Sequence, residues 1–269
     1  MAELEASAGA AAPAPAPERI SIDAVIFDLD GTLAESKRPL SEDMAAILAR
    51  LLAITDVAVI SGGDWPQFEK QIASRLPAGV ALDRLWLMPT TGTKLYRFIN
   101  GAWRAVYAEL FDDAEKAKIR TAFDQALTDA GLADERIWGE RIEDRGSQIT
   151  FSGLGQAAPL KEKEAWDPDR KKRTALQATL RAKLPELSIN LGGTTSIDVT
   201  RAGIDKGYGL KRLSAESGVP LDGMLFIGDA IFPGGNDYPA AEIGLDTVRV
   251  RDVAETTAVV TAIIACLHR

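Results

Sequence analysis

Two aspartates stand two residues apart in Asp28-Leu29-Asp30-Gly31-Thr32-Leu33, directly after the apolar run ISIDAVIF. Side chains two apart on an extended chain face the same way, so both carboxylates can reach one phosphoryl group. One can attack phosphorus while the other protonates the leaving oxygen and later deprotonates water. An Asp-Gly turn closing a strand is the plainer alternative, but the buried lead-in and the full six-residue pattern favour chemistry.

Three further segments could complete such a site. Ser61-Gly62-Gly63 follows VAVI and offers a hydroxyl and open backbone amides to phosphate oxygens, although a glycine-rich strand-to-helix turn is as common a use. Lys206 opens a helix and could balance the charge of a phosphate crowded against carboxylates. Gly228-Asp229 ends the strand MLFIG, and Asn236-Asp237 follow a Pro-Gly-Gly loop. Asp28, the carbonyl of Asp30 and Asp229 form an oxygen set suited to Mg²⁺. Asn236 and Asp237 could orient Lys206 or bind the metal's waters.

These segments sit where strands end or helices begin, and in an open parallel sheet such points converge on one crevice. Apolar strands are expected at 20–29, 57–60, 85–88, 224–227 and 247–250, with helices at 41–52, 65–76 and 207–217 between them. This is the order of a doubly wound, Rossmann-like α/β core. From Lys94 the pattern turns antiparallel, with a hairpin at Asn100-Gly101, helices at 113–130 and 168–184, and strands at 148–151 and 196–199. Asp167-Pro168 reads as the cap and first residue of the later helix. The expected organisation is a tail at 1–18, a core of 19–93 and 203–269, and an inserted α+β cap at 94–202.

The 269 residues are 46% hydrophobic and 26% charged, with a formal net charge of −8. That balance argues against nucleic acid or an anionic membrane as partner. One cysteine, Cys266, and one histidine, His268, nearly exclude disulfides, thiolate clusters and histidine triads. The Ala- and Pro-rich first residues read as a disordered tail rather than a secretory signal, and a cytoplasmic location is expected. The basic run Arg170 to Arg173 reads as a solvated helix face, with phosphate binding as the alternative.

Taken in order, the four segments resemble the motifs of the haloacid dehalogenase superfamily. The insertion between the second and third motifs resembles the subgroup with a large α+β cap, type IIB. PGGND within 228–237, the cap strand GGTTSIDV at 192–199 and DWPQFEKQI at 64–72 are similar to the eukaryotic-type phosphomannomutases. The resemblance implies Asp28 as nucleophile, Asp30 as acid/base, Lys206 as stabilising cation, and Ser61 and Gly62 as phosphate contacts. It implies Mg²⁺ on Asp28, Asp30 and Asp229, a sugar phosphate held by Lys37, Arg145, Ser196 and Asp198, and a homodimer formed through the cap. Mutases of this group carry arginine where Lys37 or Arg38 stands and where Ser152 aligns, which puts a phosphatase first. A phosphohexomutase is the alternative, and a binding protein without turnover a third.

Overall fold

A computed structural model describes residues 22–267, so the expectations for the first eighteen residues and for His268 lie outside the described residues. The main sheet contains β1 (Ala24–Phe27), β2 (Asp56–Ile60), β3 (Leu85–Met88), β4 (Lys94–Ile99) and β5 (Ala102–Ala108). A smaller sheet contains β6 (Ile142–Asp144), β7 (Ile149–Ser152), β8 (Leu187–Leu191) and β9 (Ser196–Arg201), after which β10 (Met224–Gly228) and β11 (Asp246–Arg249) rejoin the main one. The seven strands run in the order β11-β10-β1-β2-β3-β4-β5, the first five mutually parallel, with β4 antiparallel to β3 and β5 antiparallel to β4.

Parallel strands are buried on both faces, and β1 and β10 are buried along their whole length. β1 is shorter than its apolar text because Leu29 O accepts from both Leu33 N and Ala34 N, which folds the chain into a turn. Leu33 and Leu40 pack beneath that turn, with Met44, Leu48 and Leu51 of the helix Glu42–Leu52.

The hairpin from Lys94 does not belong to the inserted segment, as the expected boundary had it. β4 pairs antiparallel with β3 and extends the core sheet. Asn100 and Gly101 turn it with φ of 53° and 78°, the positive pair a tight hairpin needs. Tyr96 on β4 stacks on Trp65 with ring centroids 4.1 Å apart, which fixes the hairpin over the core. The chain leaves the main sheet only after Ala108.

The second sheet has the order β6-β7-β9-β8 and is antiparallel throughout. The helices Asp113–Asp129 and Lys171–Lys183 cover it through Phe123, Leu176 and Leu180, with Phe123 stacked 5.3 Å from Phe151. The first helix starts with a reciprocal cap between Asp112 and Glu115, both bonds 2.8 Å. The second starts at Lys171, later than Asp167-Pro168 suggested: Arg170 takes the cap position with φ of 59°. Asp167 instead turns its carboxylate to the Lys172 and Arg173 amides and to Arg173 Nε at 2.8 Å. A short helix, Leu160–Trp166, has no periodic apolar face and was not anticipated.

Both crossings between the sheets are tied at one place. Arg201, at the end of β9, donates to Glu109 O and Leu110 O and pairs with Glu115 at 2.8 Å. The two connections between core and inserted domain are thereby held to each other.

Candidate active site

Asp28 follows β1 and donates its amide to Ile227 O at 3.0 Å, which sets it beside the end of β10, where Asp229 follows Gly228. Lys206 begins the helix Lys206–Ser217, whose cap Asp205 accepts from Tyr208 N at 2.8 Å. Its ammonium bonds to Asp28 Oδ1 and lies 2.5 Å from Asp237 Oδ1. Asp237 is fully buried, and its second oxygen accepts from Ala230 N at 2.9 Å.

Ligand oxygens of Asp28, Asp229 and Asp237 all lie within 4.8 Å of one another. Three carboxylates against one ammonium leave two negative charges, the deficit a divalent cation fills, and an all-oxygen set suits a hard one. Burial pushes the Asp28 carboxyl up to about 7; Lys206 pulls it down, while Asp237 and Asp229 add to the rise. Burial and then Asp237 also raise Asp229, against Lys206. Lys206 is shifted the other way: burial disfavours its charge, but Asp237 and Asp28 outweigh that and hold its pKa well above the ordinary lysine value. Gly31 has φ of +93°, and a Cβ there would sit 2.7 Å from Asp229 Oδ2, so this position admits glycine on two counts.

The Asp30 carboxylate stands outside that acidic group. It accepts from Lys37 N at 2.7 Å, Gln67 Nε2 at 3.1 Å and Gln71 Nε2 at 3.4 Å. Gln71 is buried and lies in a π-helical turn, Glu69–Ala73, that continues the helix Trp65–Phe68 where a regular helix was expected. The wider turn is a feature often found at functional sites. Lys37 is exposed with φ of 58°, and it meets Asp30 through its backbone.

The inserted domain closes over the Ser61-Gly62-Gly63 turn. Ser61 is buried, with its amide on Met88 O at 3.3 Å. Gly62 O accepts from Arg145 Nη1 at 2.5 Å and Gln148 Nε2 at 3.2 Å. Thr150 links Gln148 at 2.9 Å to Asp198 at 2.8 Å. Burial pushes the Asp198 carboxyl up, against Arg145, Thr150 and Gln148, which pull it down. For Arg145 burial works against the charge, yet Asp198 and then Glu143 raise its pKa above the ordinary value.

Asp28, Lys206, Asp229 and Asp237 thus meet at one point, Asp30 stands beside them on the turn after β1, and Ser61, Gly62, Arg145 and Asp198 share the junction between the two sheets. Ser196 neighbours Gly192, whose Cβ would approach Ser196 and Asp198. Asn236 is exposed and holds no side-chain hydrogen bond among the described residues. Asp237, expected only to orient Lys206 or bind the metal's waters, belongs to the acidic group itself. Arg173 is neither a solvated face nor free for phosphate: it is buried against Asp167 and holds Gly193 O. The glutamines were missed. Gln67 and Gln71, four apart on the inward helical face, were the available signal.

The fold and the convergent acids define a phosphoryl-transfer enzyme of the haloacid dehalogenase superfamily. A family model described as eukaryotic phosphomannomutase matches residues 44–264, and the chain belongs to that family. It is 27% identical over 220 residues to the phosphomannomutase of Schizosaccharomyces pombe, covering 80% of this chain and 83% of that one. The phosphomannomutase of Spinacia oleracea is 26% identical over 220 residues, covering 79% and 84%. Among solved structures, the IMP-bound IMP-nucleotidase of Plasmodium falciparum superposes with a TM-score of 0.66 at 16% identity, over 91% of this chain and 68% of that one, a likeness of fold alone.

Proposed function

We propose that this protein is a Mg²⁺-dependent phosphohexomutase that interconverts hexose 1- and 6-phosphates through an aspartyl phosphate on Asp28. The observation that carries the reading is the Lys206 ammonium shared by Asp28 and Asp237 beside Asp229, within a chain matched by the phosphomannomutase family over most of its length. The name of the curated relatives favours this over the phosphatase that residue-level reading put first.

In this reading an Asp28 oxygen attacks one phosphorus of a hexose bisphosphate in line, and the phosphorus–oxygen bond to the sugar breaks, leaving a hexose monophosphate. Asp30 gives its proton to the departing sugar oxygen. For return, Asp30 takes the proton of the free hydroxyl of a hexose monophosphate bound the other way round, whose oxygen attacks the aspartyl phosphate and frees Asp28. Lys206 holds Asp28 in place and offsets charge on the transferring group, while Ser61 and Gly62 contact its oxygens. Asp28, Asp229 and Asp237, with the Asp30 carbonyl, would hold Mg²⁺, which neutralises phosphate oxygens when bound. Ser196, Asp198, Arg145 and Lys37 serve the sugar and its far end.

A phosphatase stays as the second reading for a specific reason. Both terminal nitrogens of Arg145 are engaged, by Gly62 and Glu143, and Arg173 is held by Asp167, so neither guanidinium offers the two-pronged face that grips a second phosphate. Mannose 1-phosphate, incubated with Mg²⁺ and a hexose 1,6-bisphosphate, separates the two. The mutase reading expects mannose 6-phosphate in excess of free phosphate; free phosphate with no isomer overturns it.

A further inference from the structure

Where the inserted domain meets Gly62, two side chains each keep one buried polar atom without a partner among the described residues: Gln148 Oε1 and Arg145 Nε. Both side chains converge on one core oxygen, Gly62 O. The orientation of the Gln148 amide is set by its surroundings. Its nitrogen serves Gly62 O at 3.2 Å and Thr150 Oγ1 at 2.9 Å, and turning it over would press its carbonyl against that of Gly62. The free oxygen can therefore only accept, and the free Arg145 Nε can only donate.

Gln148 is fully buried, and polar atoms covered without partners disfavour the closed junction until something satisfies them. Groups that both donate and accept satisfy both types at once, and a sugar offers several in the place of the waters that would otherwise fill the site. Thr150 carries the same network on to Asp198, a further acceptor beside Gly62. An apolar ligand would leave every one of these groups unmet.

We infer that Gln148 is a specificity-determining residue that reads the configuration of a substrate hydroxyl. Its Oε1 accepts that hydroxyl's hydrogen while Arg145 Nε donates to a neighbouring sugar oxygen. Both atoms are covered where the inserted domain meets the Ser61–Gly63 turn, so the sugar takes its place as that junction opens and recloses. The inference rests on the sugar-phosphate reading above and deepens it. It assigns the selectivity to a residue in the turn between β6 and β7 rather than to Ser196 and Asp198 alone.

The test compares kcat/KM for glucose 6-phosphate with those for mannose, allose and galactose 6-phosphates, each of which differs from it at one ring hydroxyl, in the unaltered protein, Gln148→Met and Gln148→Leu. Each ratio between epimers is internal to one protein, so partial loss of folding cancels. The unaltered protein is expected to prefer one epimer at least tenfold, and both variants to bring that ratio about tenfold toward unity, as a lost hydrogen bond to a substrate hydroxyl does. An unchanged ratio in both variants, or no preference in the unaltered protein, overturns the inference. Turnover of p-nitrophenyl phosphate reports the core chemistry separately. If neither it nor any hexose phosphate reacts, the functional reading fails, and calorimetric binding of the same four esters with Mg²⁺ gives the ratios that decide the role of Gln148.

Discussion

Lys206 and Asp237 form a buried ion pair, Nζ to Oδ1 2.5 Å, that brings together the helix after the inserted domain and the loop after β10. Asp237 accepts the Ala230 amide with its other oxygen, so the pair also fixes the backbone directly after Asp229. A Cβ on Gly228 would run into the Asp237 carboxylate, which explains glycine at the end of that strand. The cluster is thus built on β1, β10 and one helix start.

Removing the ammonium should damage fold and chemistry together. Lys206→Met leaves Asp28 and Asp237 buried without their cation, and breaking a buried pair in this way costs about 3–5 kcal/mol. A fall in denaturation midpoint, partly recovered by Mg²⁺, is expected in chemical unfolding. A midpoint equal to that of the unaltered protein would mean the pair contributes little.

Gly31→Ala tests the crowding at Asp229. The positive φ and the 2.7 Å approach make the methyl group displace that carboxylate. Stability should drop by about 1–2 kcal/mol, and the Mg²⁺ concentration giving half-maximal turnover should rise about tenfold or more. Loss of stability without any change in Mg²⁺ dependence would place Asp229 outside the metal site.

The pH dependence has a definite sign. The folded pKa of Asp28, about 7, stands above the ordinary 3.8, so folding without metal takes up a proton there. That contribution to stability is complete below the ordinary carboxylate range and is lost as pH rises through about 7. A bound cation competes with the same proton. Mg²⁺ should therefore raise the melting temperature more at pH 8 than at pH 6, measured against chelator; an increment that does not change with pH contradicts the assignment.

Asp30→Asn should slow transfer about a hundredfold or more while leaving the fold intact, because Gln67, Gln71 and the Lys37 amide surround a side chain of the same shape. Circular dichroism and a burst assay check both parts. Full turnover by this variant would remove Asp30 from the acid/base role.

The core was legible in the sequence because its strands are apolar on both faces and its acids sit at their ends, a pattern that fixes both placement and direction. Asp28, Lys206 and Asp229 could be brought together from chain order alone. Other features depend on tertiary contacts that periodicity does not carry. The hairpin at Lys94 alternates as an antiparallel ribbon in either sheet, and only its pairing to β3 decides where it belongs. Asp167-Pro168 has the text of a helix start, yet the helix begins at Lys171, and the Asp167 carboxylate reaches its first-turn amides and Arg173 Nε from outside it. Gln148 looks like any polar strand residue until the Gly62 carbonyl is set against it.

The covalent intermediate tests the account most directly. Protein mixed with Mg²⁺ and a hexose 1,6-bisphosphate, quenched in acid within milliseconds and reduced with borohydride, should yield a peptide with homoserine at position 28 by mass spectrometry. Turnover of the same sample with an unmodified Asp28, or with the reduction product at another carboxylate, would contradict nucleophilic attack by Asp28.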